Sequence, residues 1–156
     1  MHPSTEALLG QFVHEHLPDD LQRVARPFSE LAYALACGDN DPRAGTMTTG
    51  HGPLSGPEAT VALRSLREAK DATIRARLPS PGLTEGISTW ATLMVDHYLS
   101  RFTYGHLPLS LQCVSAPLCA LAHTVAQGPR NPDTVDALRD LLKAKDAAVR
   151  AAVASA

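Results

Sequence analysis

Apolar residues recur at helical spacing along most of this chain, and one pattern of apolar and polar positions occurs twice. Residues 63–76 read Leu63-Arg64-x-Leu66-x-x-Ala69-Lys70-Asp71-Ala72-x-x-Arg75-Ala76. The order returns 75 positions later as Leu138, Arg139, Leu141, Ala144, Lys145, Asp146, Ala147, Arg150 and Ala151. Ala, Leu, Lys and Arg favour helix, and neither copy contains Gly or Pro, so both stretches are predicted helices. A short helix is expected within residues 1–16, capped by Ser4 or Thr5, with Ala7, Leu8, Phe12 and Val13 as its apolar contacts. Pro18 opens a second helix that runs to Cys37 and stops at Gly38. Leu21, Val24, Phe28, Leu31 and Leu35 keep phase across Pro27, which predicts one kinked helix rather than two. Pro57 and Glu58 open a third, ending near Leu78. A fourth is capped by Thr84 and carries Ile87, Trp90, Ala91, Met94, Val95 and Tyr98, with Trp90 expected between the halves.

The repeat extends upstream of the doubled motif. Phe102, His106-Leu107-Pro108, Leu111-Gln112, Val114, Pro117 and Leu121-Ala122 match Phe12, His16-Leu17-Pro18, Leu21-Gln22, Val24, Pro27 and Leu31-Ala32, now at an offset of 90. The offset falls to 75 because residues 38–57 are replaced in the second copy by the short connection Gly128-Pro129-Arg130-Asn131-Pro132. Residues 38–57 carry five glycines and three prolines and read as a loop, either a flexible insertion or a lid over a ligand. The expected fold is all-α, with two pseudo-symmetric units at 1–78 and 83–156 joined by Pro79-Ser80-Pro81-Gly82. Each unit is a short helix plus an antiparallel helical hairpin. One such hairpin buries too little surface to be stable alone, whereas two can cover each other's apolar stripes as a dimer would.

Composition narrows the function classes. The chain has 156 residues, 44% hydrophobic and 19% charged, as expected of an ordinary globular protein. Its 14 Lys and Arg against 16 Asp and Glu leave a net charge of −2, which offers no footprint for duplex nucleic acid. Aromatics at 4% argue against modules that stack bases in series. Cys37, Cys113 and Cys119 form no C-x-x-C pair and read as small buried hydrophobes in a reducing compartment. No leader pattern and no run approaching roughly 18 apolar residues is seen, which predicts a cytoplasmic protein without a membrane segment. G-x-S-x-G, H-E-x-x-H and phosphate-loop motifs are missing, as is any cluster of metal-ligand type. The expectation is therefore a binder rather than an enzyme, with no cofactor and no metal.

Lys70 and Lys145 are the clearest anomalies. Each lies on an apolar stripe, the first with Leu63, Leu66 and Ile74, the second with Leu138, Leu141 and Val149. Asp71 with Arg75, and Asp146 with Arg150, are four apart and suited to pair along the helix for about 0.3–0.5 kcal/mol. The lysines have two readings. Structurally, they extend past the stripe to solvent or pair with a carboxylate across the hairpin; functionally, with Arg64, Arg75, Arg139 and Arg150, they hold phosphate. His16 and His106, each before a Leu-Pro turn, read as turn residues rather than metal ligands.

Arg101-Phe102-Thr103-Tyr104, followed by His106-Leu107-Pro108, Gln112, Leu121-Ala122 and the Ala-Leu-x-x-Leu of residues 137–141, resembles a family of small helical-hairpin phage proteins. These are the anti-CBASS and anti-Thoeris sponges, which sequester immune nucleotides. The resemblance implies an oligomer, here with tandem hairpins, in the cytoplasm of a host cell. It implies binding of cyclic oligonucleotides or cyclic ADP-ribose isomers between hairpins without cleavage. Tyr104 and Phe102, with Phe12 and His14 as their first-copy equivalents, would stack on bases or shape the pocket. The alternative is a helical protein–protein interaction module with no small-molecule ligand.

Overall fold

A computed structural model describes residues 3–78 and 85–154; the linker 79–82 and the cap at Thr84 lie outside the described residues. The fold is all-α. Its helices are α1 (Pro3–Gly10), α2 (Asp19–Cys37), α3 (Pro57–Arg77), α4 (Glu85–Leu99), α5 (Leu109–Ala126) and α6 (Pro132–Ala154), and no strand occurs among the described residues. The two copies of the doubled motif, in α3 and α6, form the central antiparallel pair. Leu63 and Leu66 meet Leu138 and Leu141 in one core, and alanines such as Ala69, Ala72, Ala144 and Ala148 are fully buried. Small side chains there let the two backbones approach closely, so the doubled motif packs chiefly on its own copy. Around this pair, α2 packs on α3 and α5 on α6, while α1 rests on α3 and α4 on α6.

Local chemistry sets the helix ends. Pro18 precedes α2, Asp19 and Asp20 occupy its positive end, and Gly38 closes it with φ of 92°. The helix runs unbroken through Pro27, as the phase of its apolar stripe predicts. Asn131 stitches two ends together. Its Oδ1 accepts the Thr134 N–H at 3.0 Å and caps α6, while its Nδ2 donates to the Ala76 carbonyl at 2.9 Å and satisfies the end of α3.

Residues 38–57 are not an unstructured insertion. The Asp39 carboxylate accepts the N–H groups of Thr49 and Gly50, both at 2.8 Å. Asp41 accepts Arg43 N–H at 2.8 Å and holds its guanidinium at 2.8 and 3.0 Å, and that guanidinium lies 4.4 Å over the Tyr33 ring. Leu54 donates to the Leu35 carbonyl at 2.8 Å and buries its side chain in the core. Gly45, with φ of 58°, passes so close to Glu30 that a Cβ would lie 2.6 Å from its carboxylate carbon.

Two expectations fail. Trp90 does not lie between the halves: α4 buries only Ala91 and Val95, and Trp90 is 47% exposed. Cys113 is exposed, and Cys37 and Cys119 are half-buried rather than core residues. By length and composition α5 is apolar enough to cross a membrane; its buried face packs against α6.

Candidate functional site

The lysines of the doubled motif pass their aliphatic stems along the apolar stripe and bring their ammonium groups to its edge. Lys70 Nζ donates to the Gln11 carbonyl at 2.7 Å, just beyond the end of α1. It lies 5.5 Å over the Phe12 ring and 3.5 Å from Asp71. Lys145 repeats the arrangement with the Arg101 carbonyl at 3.2 Å, the Phe102 ring at 5.9 Å and Asp146 at 3.4 Å. Carbonyls at the end of a short helix lack partners along the chain, and a cation suits the negative end of the helix. The expected carboxylate across the hairpin is thus a backbone carbonyl. Gln22 and Gln112 add a further matched pair, each donating at 2.8 Å to the carbonyl of Leu17 or Leu107.

The arginines depart from expectation in the same paired way. Arg75 does not pair with Asp71, nor Arg150 with Asp146. Arg75 instead reaches Asp133 at 3.5 Å and Arg150 reaches Glu58 at 3.0 Å, so each crosses from one motif helix to the start of the other. Antiparallel packing brings each C-terminal arginine to the acidic first turn of its partner helix, which is why the intrahelical pairs are not formed. Asp71 pairs with Arg67 at 3.1 Å and Arg139 with Asp136 at 3.2 Å; Arg64 makes no ion pair among the described residues.

The sequence-predicted site residues do not form one site. Lys145 and Arg150 line a cleft of about 250 Å³ with His106, Leu107, Asp146 and Val149. Phe12 and His14 line another, of about 280 Å³, beside Arg26, Ser29, Tyr33 and Arg43. Glu15 also lines this second cleft, and the backbone N–H groups of Glu15 and His14 hold its carboxyl below the ordinary range. Lys70 and Arg75 line neither. Phe12 and Phe102 are fully buried beneath the lysines, where a base cannot stack on them, and Tyr104 is half-buried in the turn before His106.

A larger cleft, about 730 Å³, was not anticipated. Ser4 and Thr5 of α1, Cys37, and Leu54, Ser55 and Thr60 around the start of α3 line it. Its sequence signal is the extra length of residues 38–57, which builds one wall. Arg43 lowers the Asp41 carboxyl to about 2, mainly by donating to it. Burial and the nearby Asp41 charge push the Cys37 thiol up, the reverse of what a thiolate nucleophile requires. No group of three His, Cys, Asp or Glu side chains among the described residues is placed to hold a metal ion. Comparison of the chain with family models, curated proteins and solved structures returns no match.

Proposed function

We propose that the protein is a non-catalytic binder of a small phosphorylated signal, a cyclic oligonucleotide or cyclic ADP-ribose isomer, held in a cationic cleft of its second hairpin unit. The observation that carries this reading is the cleft where Lys145, Arg150 and His106 converge. Arg150 supplies forked donors at its exposed edge, Lys145 a fixed positive charge at its base, and Leu107 and Val149 an apolar wall. Duplicated hairpins with matched internal contacts also fit a scaffold that once assembled from separate copies, and the resemblance to the phage sponge proteins supports the ligand class.

A thermal-shift screen against cyclic di- and trinucleotides and cyclic ADP-ribose isomers tests the reading, because a ligand that binds only the folded state raises its stability. At least one compound should raise Tm and return intact, by mass spectrometry, after heat release. Arg150→Gln should weaken that compound by roughly tenfold or more, the worth of a charge-assisted hydrogen bond. A screen with no shift would discard the proposal, and recovery of a cleaved compound would replace it with an enzyme.

A second reading, a helical protein-interaction module, is favoured by α4. Ile87, Trp90 and Leu93 stand exposed at spacings of three along one face of this helix. On that view the core motif is purely structural and the partner docks on α4.

A further inference from the structure

A fourth cleft lies where α2, α3 and α5 meet, and it contains none of the sequence-predicted site residues. Its volume is about 350 Å³, within the size range of small-ligand sites. Phe28, Leu121 and Val125 form an apolar floor. Thr73 and Thr124 contribute hydroxyls, which donate to the Ala69 and Ala120 carbonyls at 2.7 and 3.1 Å and keep oxygen lone pairs free to accept. Arg23 from α2 and Arg77 from the last turn of α3 complete the walls.

Neither of those two arginines is committed to a carboxylate, a condition they share with Arg26, Arg64 and Arg101 among the described residues. Arg67, Arg75 and Arg150 all have carboxylate partners within 3.5 Å, whereas Arg23 and Arg77 make no ion pair among the described residues. The Arg77 guanidinium lies over the turn between α5 and α6, where the residue is Gly128. A Cβ there would come within 3.0 Å of Arg77 Nη2, so the glycine leaves room for the cation.

The internal repeat supplies its own control. The positions equivalent to Arg23, Thr73 and Arg77 are Cys113, Ala148 and Ala152, and those equivalent to Leu121 and Thr124 are Leu31 and Ala34. That second set has no cation and no hydroxyl. Ala148, Ala152, Leu31 and Ala34 are fully buried, and loop residue Gly50 lies against Cys113, with a Cβ there only 3.5 Å from the cysteine Cβ. One groove is therefore closed by small apolar side chains, while its counterpart is open and doubly cationic. Helix packing alone accounts for the closed groove. It does not account for two arginines without partners above an apolar floor.

We infer that the open groove is a binding site for an organic phosphate, with Arg23 and Arg77 holding the phosphate and Phe28, Leu121 and Val125 supporting an apolar or planar body. Asp20 also lines the mouth. It reduces the local charge to a net single positive and accepts hydrogen bonds from hydroxyl or amino groups, which favours a nucleoside monophosphate over bare phosphate. The site is separate from the Lys145 cleft and does not depend on the reading given for that cleft.

The test is titration of the full chain with AMP, followed by calorimetry and by backbone amide NMR, with adenosine and inorganic phosphate as controls. AMP should bind more tightly than either control and should shift the amides of Thr73, Arg77, Thr124 and Gly128. Arg77→Gln and Arg23→Gln, both at exposed side chains, should each weaken AMP roughly tenfold or more while leaving the melting curve unchanged. Arg150→Gln should leave AMP binding as it was. The inference is overturned if AMP does not bind up to about 5 mM, if adenosine binds equally well, if Arg77→Gln has no effect, or if the amide shifts cluster at residues 145–150.

Discussion

Lys70 and Lys145 tie the chain just past α1 and just past α4 to the central helix pair, and each does so through a carbonyl and an aromatic ring rather than through a distant carboxylate. Asp140 on α6 is the opposite case, a buried acid with little compensation. It is 8% exposed, and its nearest cation, Lys143, is 4.0 Å away. Burial raises its pKa, with Arg139 and Lys143 only partly opposing the shift. A carboxyl whose folded pKa lies above its unfolded one favours the fold most below the unfolded value and loses that contribution as pH rises through the folded value. Asp140→Asn should therefore raise Tm at pH 7, and the gain should shrink as pH falls through the raised pKa of the folded state and be gone below the ordinary carboxylate range. Equal gains at pH 7 and pH 3 would show that the effect is not one of charge. The lysines were legible in the sequence as anomalies, because a cation on an apolar stripe breaks the pattern. Their partners were not, since Gln11 and Lys70 are 59 residues apart and only the docking of α1 joins them.

At the scale of elements, α2 was legible through Pro27 because its apolar phase outlasts the proline, and the stop at Gly38 follows from its positive φ. Residues 38–57 were legible only as a loop. Their fold comes from an Asp39 carboxylate that gathers two backbone N–H groups ten and eleven residues away, a kind of contact that has no periodicity to read. The misplacement of Trp90 has a related cause. Helical spacing marks which residues share a face, but not whether a neighbour covers that face. α4 leaves Trp90 and Leu93 exposed, at 47% and 65%, and the interaction-module reading rests on them. If that reading holds, Trp90→Asp should shift the sedimentation coefficient toward monomer or abolish a partner's binding, with helix content unchanged by circular dichroism. An unchanged assembly state and unchanged binding would remove α4 from consideration.

The whole molecule has one core drawn from all six helices, and two ion pairs, Arg75–Asp133 and Arg150–Glu58, join the ends of α3 and α6. Exposed pairs of this kind contribute roughly 0–1 kcal/mol each, so the shared apolar seam, not the charges, couples the halves. Urea unfolding should therefore be a single transition, with Trp90 fluorescence and far-UV dichroism superimposing. Two separated transitions would mean that the halves are independent domains. The division at residues 78 and 83 follows the sequence repeat. That repeat made the duplication plain, but the closed and open grooves were not visible in it, because they depend on which neighbours bury Ala148 and Ala152.

The antiparallel pairing of α3 with α6 also sets a timetable during synthesis. α3 is complete at Arg77, but the helix that covers its apolar stripe is not complete until Ala154. At about 5–20 residues per second the ribosome needs roughly 4–15 s to make the intervening chain. Through that interval Leu63 and Leu66 lack the cover that α6 gives them, and the first half is exposed to wrong partners, including the same stripe on a neighbouring nascent chain. Placing both copies of the motif in one polypeptide thus moves the risk of association from the finished protein to the unfinished one.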